Sequence, residues 1–187
     1  MARSSSERWL APAFFDRPTL EVARDLLGAT VQVRGPGGPR ATELVEVEAY
    51  GPADPASHAY RGPTRRNRTM YGPPGGVYVY RIHQVVCANL VTRRGEAVLL
   101  RAGTPVGPER TSASGPGRLC RALGLTFADD GTRVSRTGRF SVRAAPDRLD
   151  QAIVASPRVG ISRAIDRPWR FSVAGSPWVS RPGPRLT

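Results

Sequence analysis

The chain has 187 residues, enough for one domain with a sizeable core, and carries 28 basic against 15 acidic side chains for a formal net charge of +13. Every basic residue is arginine, so no side-chain amine exists for a Schiff base, for pyridoxal phosphate, or for the phosphate-loop and kinase motifs that need lysine. Biased base composition accounts for arginine replacing lysine but not for the positive excess, and guanidinium groups that pair with phosphate and stack on bases point to nucleic acid as the partner.

The first residues, Met1 to Arg8, lack the apolar centre of a secretory signal, and no apolar run approaches the ~20 residues that cross a bilayer. A soluble protein of the bacterial cytosol or nucleoid, without membrane contact, is expected. Residues 1–12 are read as a flexible N-terminal segment, 13–180 as the domain and 181–187 as a flexible tail. Phe14 and Phe15 anchor the start of the domain. Thr19 is expected to cap a helix with Leu20, Val22, Ala23, Leu26 and Leu27 inward, and Gly28 to end it. A strand from Ala29 to Arg34, a turn at Gly35-Pro36-Gly37-Gly38-Pro39 and a returning strand from Leu44 to Tyr50 form a hairpin.

That returning strand holds an unusual pattern. In Val45-Glu46-Val47-Glu48-Ala49-Tyr50, alternation puts Leu44, Glu46, Glu48 and Tyr50 on one face and the two valines and Ala49 on the other. The valine face suits the core. The opposite face then carries carboxylates beside a phenol, where a ring can be stacked and a water activated.

Residues Gly51 to Gly76 form a long arginine-rich connection, of a length that is usually functional or disordered, and a functional loop is expected. Val77 to Tyr80, Val85 to Val91 and Ala97 to Arg101 read as strands. Ser114 is expected to cap a second helix with Leu119, Ala122 and Leu123 inward and Gly124 as its stop, and Trp169 to Val173 is a late strand. Cys87 and Cys120 are the only cysteines, and neither belongs to a ligand cluster, so reduced structural thiols and no metal site are expected.

Taken together, Phe14-Phe15-Asp16, Val45 to Tyr50, Arg66-Asn67-Arg68, Tyr78-Val79-Tyr80, Leu99 to Ala102, Ser114-Gly115-Pro116, Arg158-Val159-Gly160 and Gly175 to Val179 resemble the alkyladenine (3-methyladenine) DNA glycosylases, in the family's order. The resemblance runs from about Phe14 to Ser180. It implies a mixed α/β (α+β) fold: a single compact domain around a curved, mainly antiparallel β-sheet with flanking helices and a DNA-inserting β-hairpin. It also implies a monomeric enzyme without metal or other cofactor, and without an obligate protein partner. Such an enzyme flips a damaged purine out of double-stranded DNA and hydrolyses its glycosidic bond.

On this resemblance Glu48 is the general base, and Arg101 binds the attacking water against it, with the Val159 carbonyl as a further acceptor. Read from its strand alone, Arg101 is equally a partner for Glu46 or Glu48. Glu46 does not match the base position and is read either as a support behind the site residues or as an arginine partner. Tyr50, His58 and Tyr80 match the rings of the base pocket, which attract cationic alkylated purines through their faces. Asn89 matches an amide that discriminates against guanine. His83 stands where the family has a tyrosine wedge, in a segment one residue shorter, so the wedge is either His83 or a neighbour such as Arg81 or Gln84. Arg65, Arg66 and Arg68 are candidates for phosphate contact, as is Ser114, through an anion site or as a plain helix cap. The absence of lysine leaves the chain's terminal amine as the one amine that could attack the sugar, so water is the expected nucleophile and a monofunctional enzyme that leaves an abasic site is predicted. A non-catalytic lesion binder and a general RNA-binding protein are the rival readings.

Overall fold

A computed structural model describes residues 8–82, 84–107, 111–145 and 152–180. The elements run α1 (Pro12–Phe15), α2 (Thr19–Asp25), β1 (Thr30–Gly35), β2 (Gly38–Tyr50), β3 (Val77–Ile82), β4 (Val85–Val91), β5 (Ala97–Val106), α3 (Pro116–Leu123), β6 (Phe140–Arg143), β7 (Ile153–Ser156) and β8 (Arg170–Val173). All eight strands join one curled antiparallel sheet in the order β3-β4-β5-β2-β1-β6, with β8 added to the second half of β2 and β7 beyond it. The mixed, mainly antiparallel single domain expected from the sequence is what the chain forms. None of the helices among the described residues is long and apolar enough to span a membrane.

The long strand β2 organises the sheet. Its first half pairs with β1 through the two-residue turn Pro36-Gly37, and its second half lies between β5 and β8. Inward valines of β1 and β2 meet Phe15, Leu26, Leu27, Leu100, Leu119, Phe140 and Phe171 in one continuous core. Because the second half of β2 is covered on both faces, the carboxylates there are enclosed: Glu46 and Glu48 have no exposed surface.

The β2–β5 ladder is irregular at one place, and the irregularity matters. Leu44 pairs with Gly103, Glu46 with Ala102 and Val47 with Leu100, so Val45 and Arg101 have no register partner. A bulge of this kind bends the strand and redirects side chains. It breaks the simple alternation expected for Leu44, which joins the core with Val45, Val47 and Ala49 rather than sharing the acidic face. It also requires Gly103, because a Cβ there would sit 2.5 Å from the Glu43 carbonyl oxygen and closer still to Thr42.

Two expected caps are corrected. The first turn of α2 is closed by the Pro18 carbonyl, while the Thr19 hydroxyl is bonded to Thr92 at 2.7 Å and donates to Glu96, tying the helix to the loop before β5. At α3 the cap position belongs to Gly115, and Ser114 instead pairs with Ala102 and donates its hydroxyl to the Val179 carbonyl at 3.3 Å. Gly124 ends α3 as expected, in the left-handed conformation (φ 69°) that glycine adopts without a steric penalty. Within the segment 1–12 expected to be flexible, Leu10 is buried and donates its N–H to the Val142 carbonyl at 2.8 Å. The expected C-terminal tail, 181–187, lies outside the described residues.

Candidate active site

Glu48 sits where β2, β5 and the loop after β7 converge. Its Oε1 accepts the Val159 N–H at 2.7 Å and faces Arg101 Nη1 at 3.4 Å, and its Oε2 accepts the Tyr50 hydroxyl at 2.8 Å. Burial pushes the Glu48 carboxyl above the usual carboxylate range, an effect opposed by the Arg101 charge, the Val159 N–H and the Tyr50 hydroxyl and reinforced by the nearby Glu46. Tyr50 is held firmly as the neutral phenol by burial and by the anion it touches. The carboxylate is thus bonded on each oxygen and still biased towards accepting a proton, as a base requires.

Tyr50, Arg101 and Val159 all line one cleft of about 430 Å³. Glu48 lies directly behind these residues. Three more rings line it, among apolar side chains such as Met70, Leu99 and Ile161. His58 and Tyr80 meet edge-to-face with centroids 4.5 Å apart, and Tyr78 lies 5.6 Å from Tyr80. Asn89 and Cys87 of β4 complete the wall, with the Asn89 amide donating to the Tyr78 carbonyl at 3.1 Å. The size suits one planar heterocycle, and the lining offers ring faces with a few polar groups to orient it.

His58 is placed by the long connection. Asn67, buried within it, donates its amide to the His58 carbonyl at 2.8 Å and accepts the Thr64 N–H at 2.6 Å, folding Arg61 to Arg68 beneath the histidine. His58 Nδ1 lies 2.9 Å from the Tyr78 hydroxyl. Burial and then the Arg66 charge lower the His58 pKa, so the ring is neutral near pH 7.

The cleft opens into a larger groove of about 1010 Å³ that shares His58, Tyr78 and Tyr80 and is lined by Arg61, Arg65, Arg66, Arg68, Arg81 and Arg163. The three arginines expected to contact phosphate therefore stand at the mouth of the cleft. Ser114 does not line either space, and its hydroxyl is engaged by Val179. His83, expected as the wedge, lies outside the described residues; its neighbours Ile82 and Val85 form the last pair of the β3–β4 hairpin and are about half exposed (49% and 47%) at the cleft.

Sequence reasoning missed three members of the site. Tyr78 anchors His58, and its even spacing from Tyr80 on β3 was the available signal. Arg158 lies behind Tyr50, with its guanidinium 4.5 Å from the ring centroid and paired to buried Asp54 through both terminal nitrogens. Asp54, 104 residues away in sequence, gave no local sign of this. Ser180 bonds both Glu46 and Arg101. Val159 reaches Glu48 through its N–H, whereas the sequence drew attention to its carbonyl.

Comparison with known proteins agrees with this geometry. Residues 13–177 match the family described as methylpurine-DNA glycosylase. The chain belongs to that family. A relative from Nitrosospira multiformis is 44% identical over 184 residues, covering 90% of this chain and 92% of that protein. One from Methanocella arvoryzae is 46% identical over 192 residues, covering 91% and 95%. Another, from Agrobacterium fabrum, is 44% identical over 182 residues, covering 90% and 91%. All three carry the provisional name 3-methyladenine DNA glycosylase. The family match spans the whole aromatic cleft, from Tyr50 to Val159, and stops three residues short of Ser180.

Proposed function

We propose that the protein is a monofunctional DNA glycosylase that removes alkylated or deaminated purines from duplex DNA. The class includes 3-methyladenine, 7-methylguanine, hypoxanthine and ethenoadenine, and water is the nucleophile. One observation carries the reading: the buried, proton-seeking carboxylate of Glu48 is bonded at once to Tyr50, Arg101 and Val159, and all three line a single aromatic cleft.

The arginine groove holds the phosphate backbone, and a nucleotide turned out of the helix enters the cleft between Tyr50, His58 and Tyr80, where ring faces replace the stacking it has lost. A cationic alkylated base gains further from those faces. Asn89 at the cleft wall tests the edge of the base, and its amide is already committed to the Tyr78 carbonyl, so its position is fixed.

Glu48 takes a proton from a water that Arg101 orients, with the Val159 carbonyl as a second acceptor. The water oxygen bonds to the deoxyribose C1′ as the glycosidic bond breaks and its electron pair leaves with the base. The carboxylate also stabilises the positive charge that develops on the sugar. An alkylated base that is cationic while attached leaves as a neutral molecule, whereas hypoxanthine or ethenoadenine leaves with the electron pair as an anion and takes up a proton from solvent. The chain has no lysine amine to attack C1′, so the product is an abasic site in an intact strand.

The test is incubation of the purified protein with duplexes carrying each of these lesions. Release of free base, with the strand intact until alkali is added, supports the reading. Tight lesion binding without base release at enzyme excess, or a nicked strand before alkali, would overturn it.

A further inference from the structure

The mechanism leaves a second buried carboxylate without a task. Glu46 has no exposed surface, and of the residues that line the cleft it is bonded to Arg101, whereas Glu48 touches Tyr50, Arg101 and Val159. Nevertheless it is the most heavily bonded acid in the site. It accepts Arg101 Nε at 3.0 Å, Arg170 Nη1 at 3.2 Å, the Ser180 N–H at 2.7 Å and the Ser180 hydroxyl at 3.0 Å. Buried ion pairs contribute little net stability compared with apolar groups of the same size, so stability alone is a weak reason for this one.

The way Arg101 is divided gives a better reason. Its Nε donates to Glu46, its Nη2 donates to the Ser180 hydroxyl at 3.1 Å, and its nearest approach to Glu48 is by Nη1, at 3.4 Å. A guanidinium beside a lone carboxylate closes on it through two parallel bonds. Here its closest contact with Glu48, from Nη1 to Oε1, is longer than its contact with Glu46.

We propose that Glu46 is a positioning residue for hydrolysis: with Ser180 and Arg170 it holds the Arg101 guanidinium off the second oxygen of Glu48, keeping a lone pair there for the attacking water. The inference rests on the reading of Glu48 as the base and assigns a role to the Gly175–Ser180 segment. Without Glu46, Arg101 turns into a two-bonded pair with Glu48, which loses both basicity and access to water.

The groups acting on Glu48 are Arg101 from β5, Tyr50 and Glu46 from β2, the Cys87 thiol from β4, Arg170 opposite it on β8, the Val159 N–H and, behind Tyr50, Arg158. Neutralising Glu46 removes a neighbouring negative charge and tightens the Arg101 pair. Both changes weaken the hold of Glu48 on a proton.

The experiment is single-turnover excision of hypoxanthine from duplex DNA by Glu46→Gln across pH, with lesion-duplex affinity measured in parallel. The maximal rate should fall about 30- to 100-fold, as for a misplaced catalytic group, with affinity within about twofold of the parent. The acid limb of the rate profile should move to lower pH. An unchanged rate overturns the inference, and so does a reduced rate with an unmoved acid limb, which is what mere structural damage gives. If Glu46→Gln does not fold, Ser180 decides: Ser180→Ala should lose about tenfold in rate while Ser180→Thr, which keeps the hydroxyl, retains it, and parental activity in Ser180→Ala overturns the inference. A Glu48→Gln protein excising at the parental rate would remove the underlying reading, whereas an inactive Glu48→Gln beside a fully active Glu46→Gln removes this inference alone.

Discussion

The Tyr50 hydroxyl donates to Glu48 Oε2 at 2.8 Å from two residues along the same strand, so one wall of the cleft is bonded directly to the acid behind it. Residues two apart on β2 share a face, and that spacing joins a stacking surface to a proton acceptor without any loop between them. The two roles proposed for these residues are therefore set by one strand.

Enclosing that carboxylate costs stability at neutral pH. A native-state pKa raised above the unfolded value means that Glu48 favours folding when protonated, and that this contribution is lost as pH rises through the native pKa. Glu48→Gln should therefore raise the thermal midpoint at pH 7 and above, with the gain shrinking towards pH 4. Midpoints of both proteins across pH check this, and a Gln variant less stable at pH 7 would contradict it.

Tyr78→Phe should loosen His58. The lost hydrogen bond at 2.9 Å is worth about 1 kcal/mol, so kcat/KM for base excision should fall about five- to tenfold, with a comparably small drop in stability. Excision kinetics on a hypoxanthine duplex measure it. An unchanged kcat/KM would show that the histidine needs no anchor.

Arg65, Arg66 and Arg68 line the groove at the cleft mouth. Replacing all three with alanine should weaken damaged and undamaged duplex alike and reduce the slope of log affinity against log salt by about one for each phosphate no longer neutralised. A loss confined to damaged duplex would place them in lesion recognition instead.

Gly103→Ala addresses the bulge that turns Arg101 into the site. The added Cβ would stand 2.5 Å from the Glu43 carbonyl oxygen, against backbone that cannot swing away. The expected cost is about 2–3 kcal/mol of stability, together with reduced excision because β5 shifts where Arg101 leaves it. Chemical denaturation and single-turnover rates test both parts.

The sequence made the strands and the acid legible and left the partners hidden. β4 runs Val85–Val91 as the apolar pattern indicated, and Gly124 closes α3 because left-handed backbone there favours glycine. Thr19 and Ser114 misled because a hydroxyl near a helix start fits a cap or a tertiary bond equally well, and their partners, Glu96 and Val179, lie far along the chain. β6 and β7 are four residues each, and unlike β8, which follows Trp169, they have few large apolar residues to mark them. Arg158 and Ser180 belong to the site only through bonds to residues more than 75 positions away, which no local pattern encodes.

The most direct measurement is single-turnover release of hypoxanthine from a lesion duplex by Glu48→Gln, alongside its affinity for that duplex. The account predicts a fall in rate of at least about 100-fold with binding retained, because only the proton-accepting function is removed. Base release at the parental rate would contradict it.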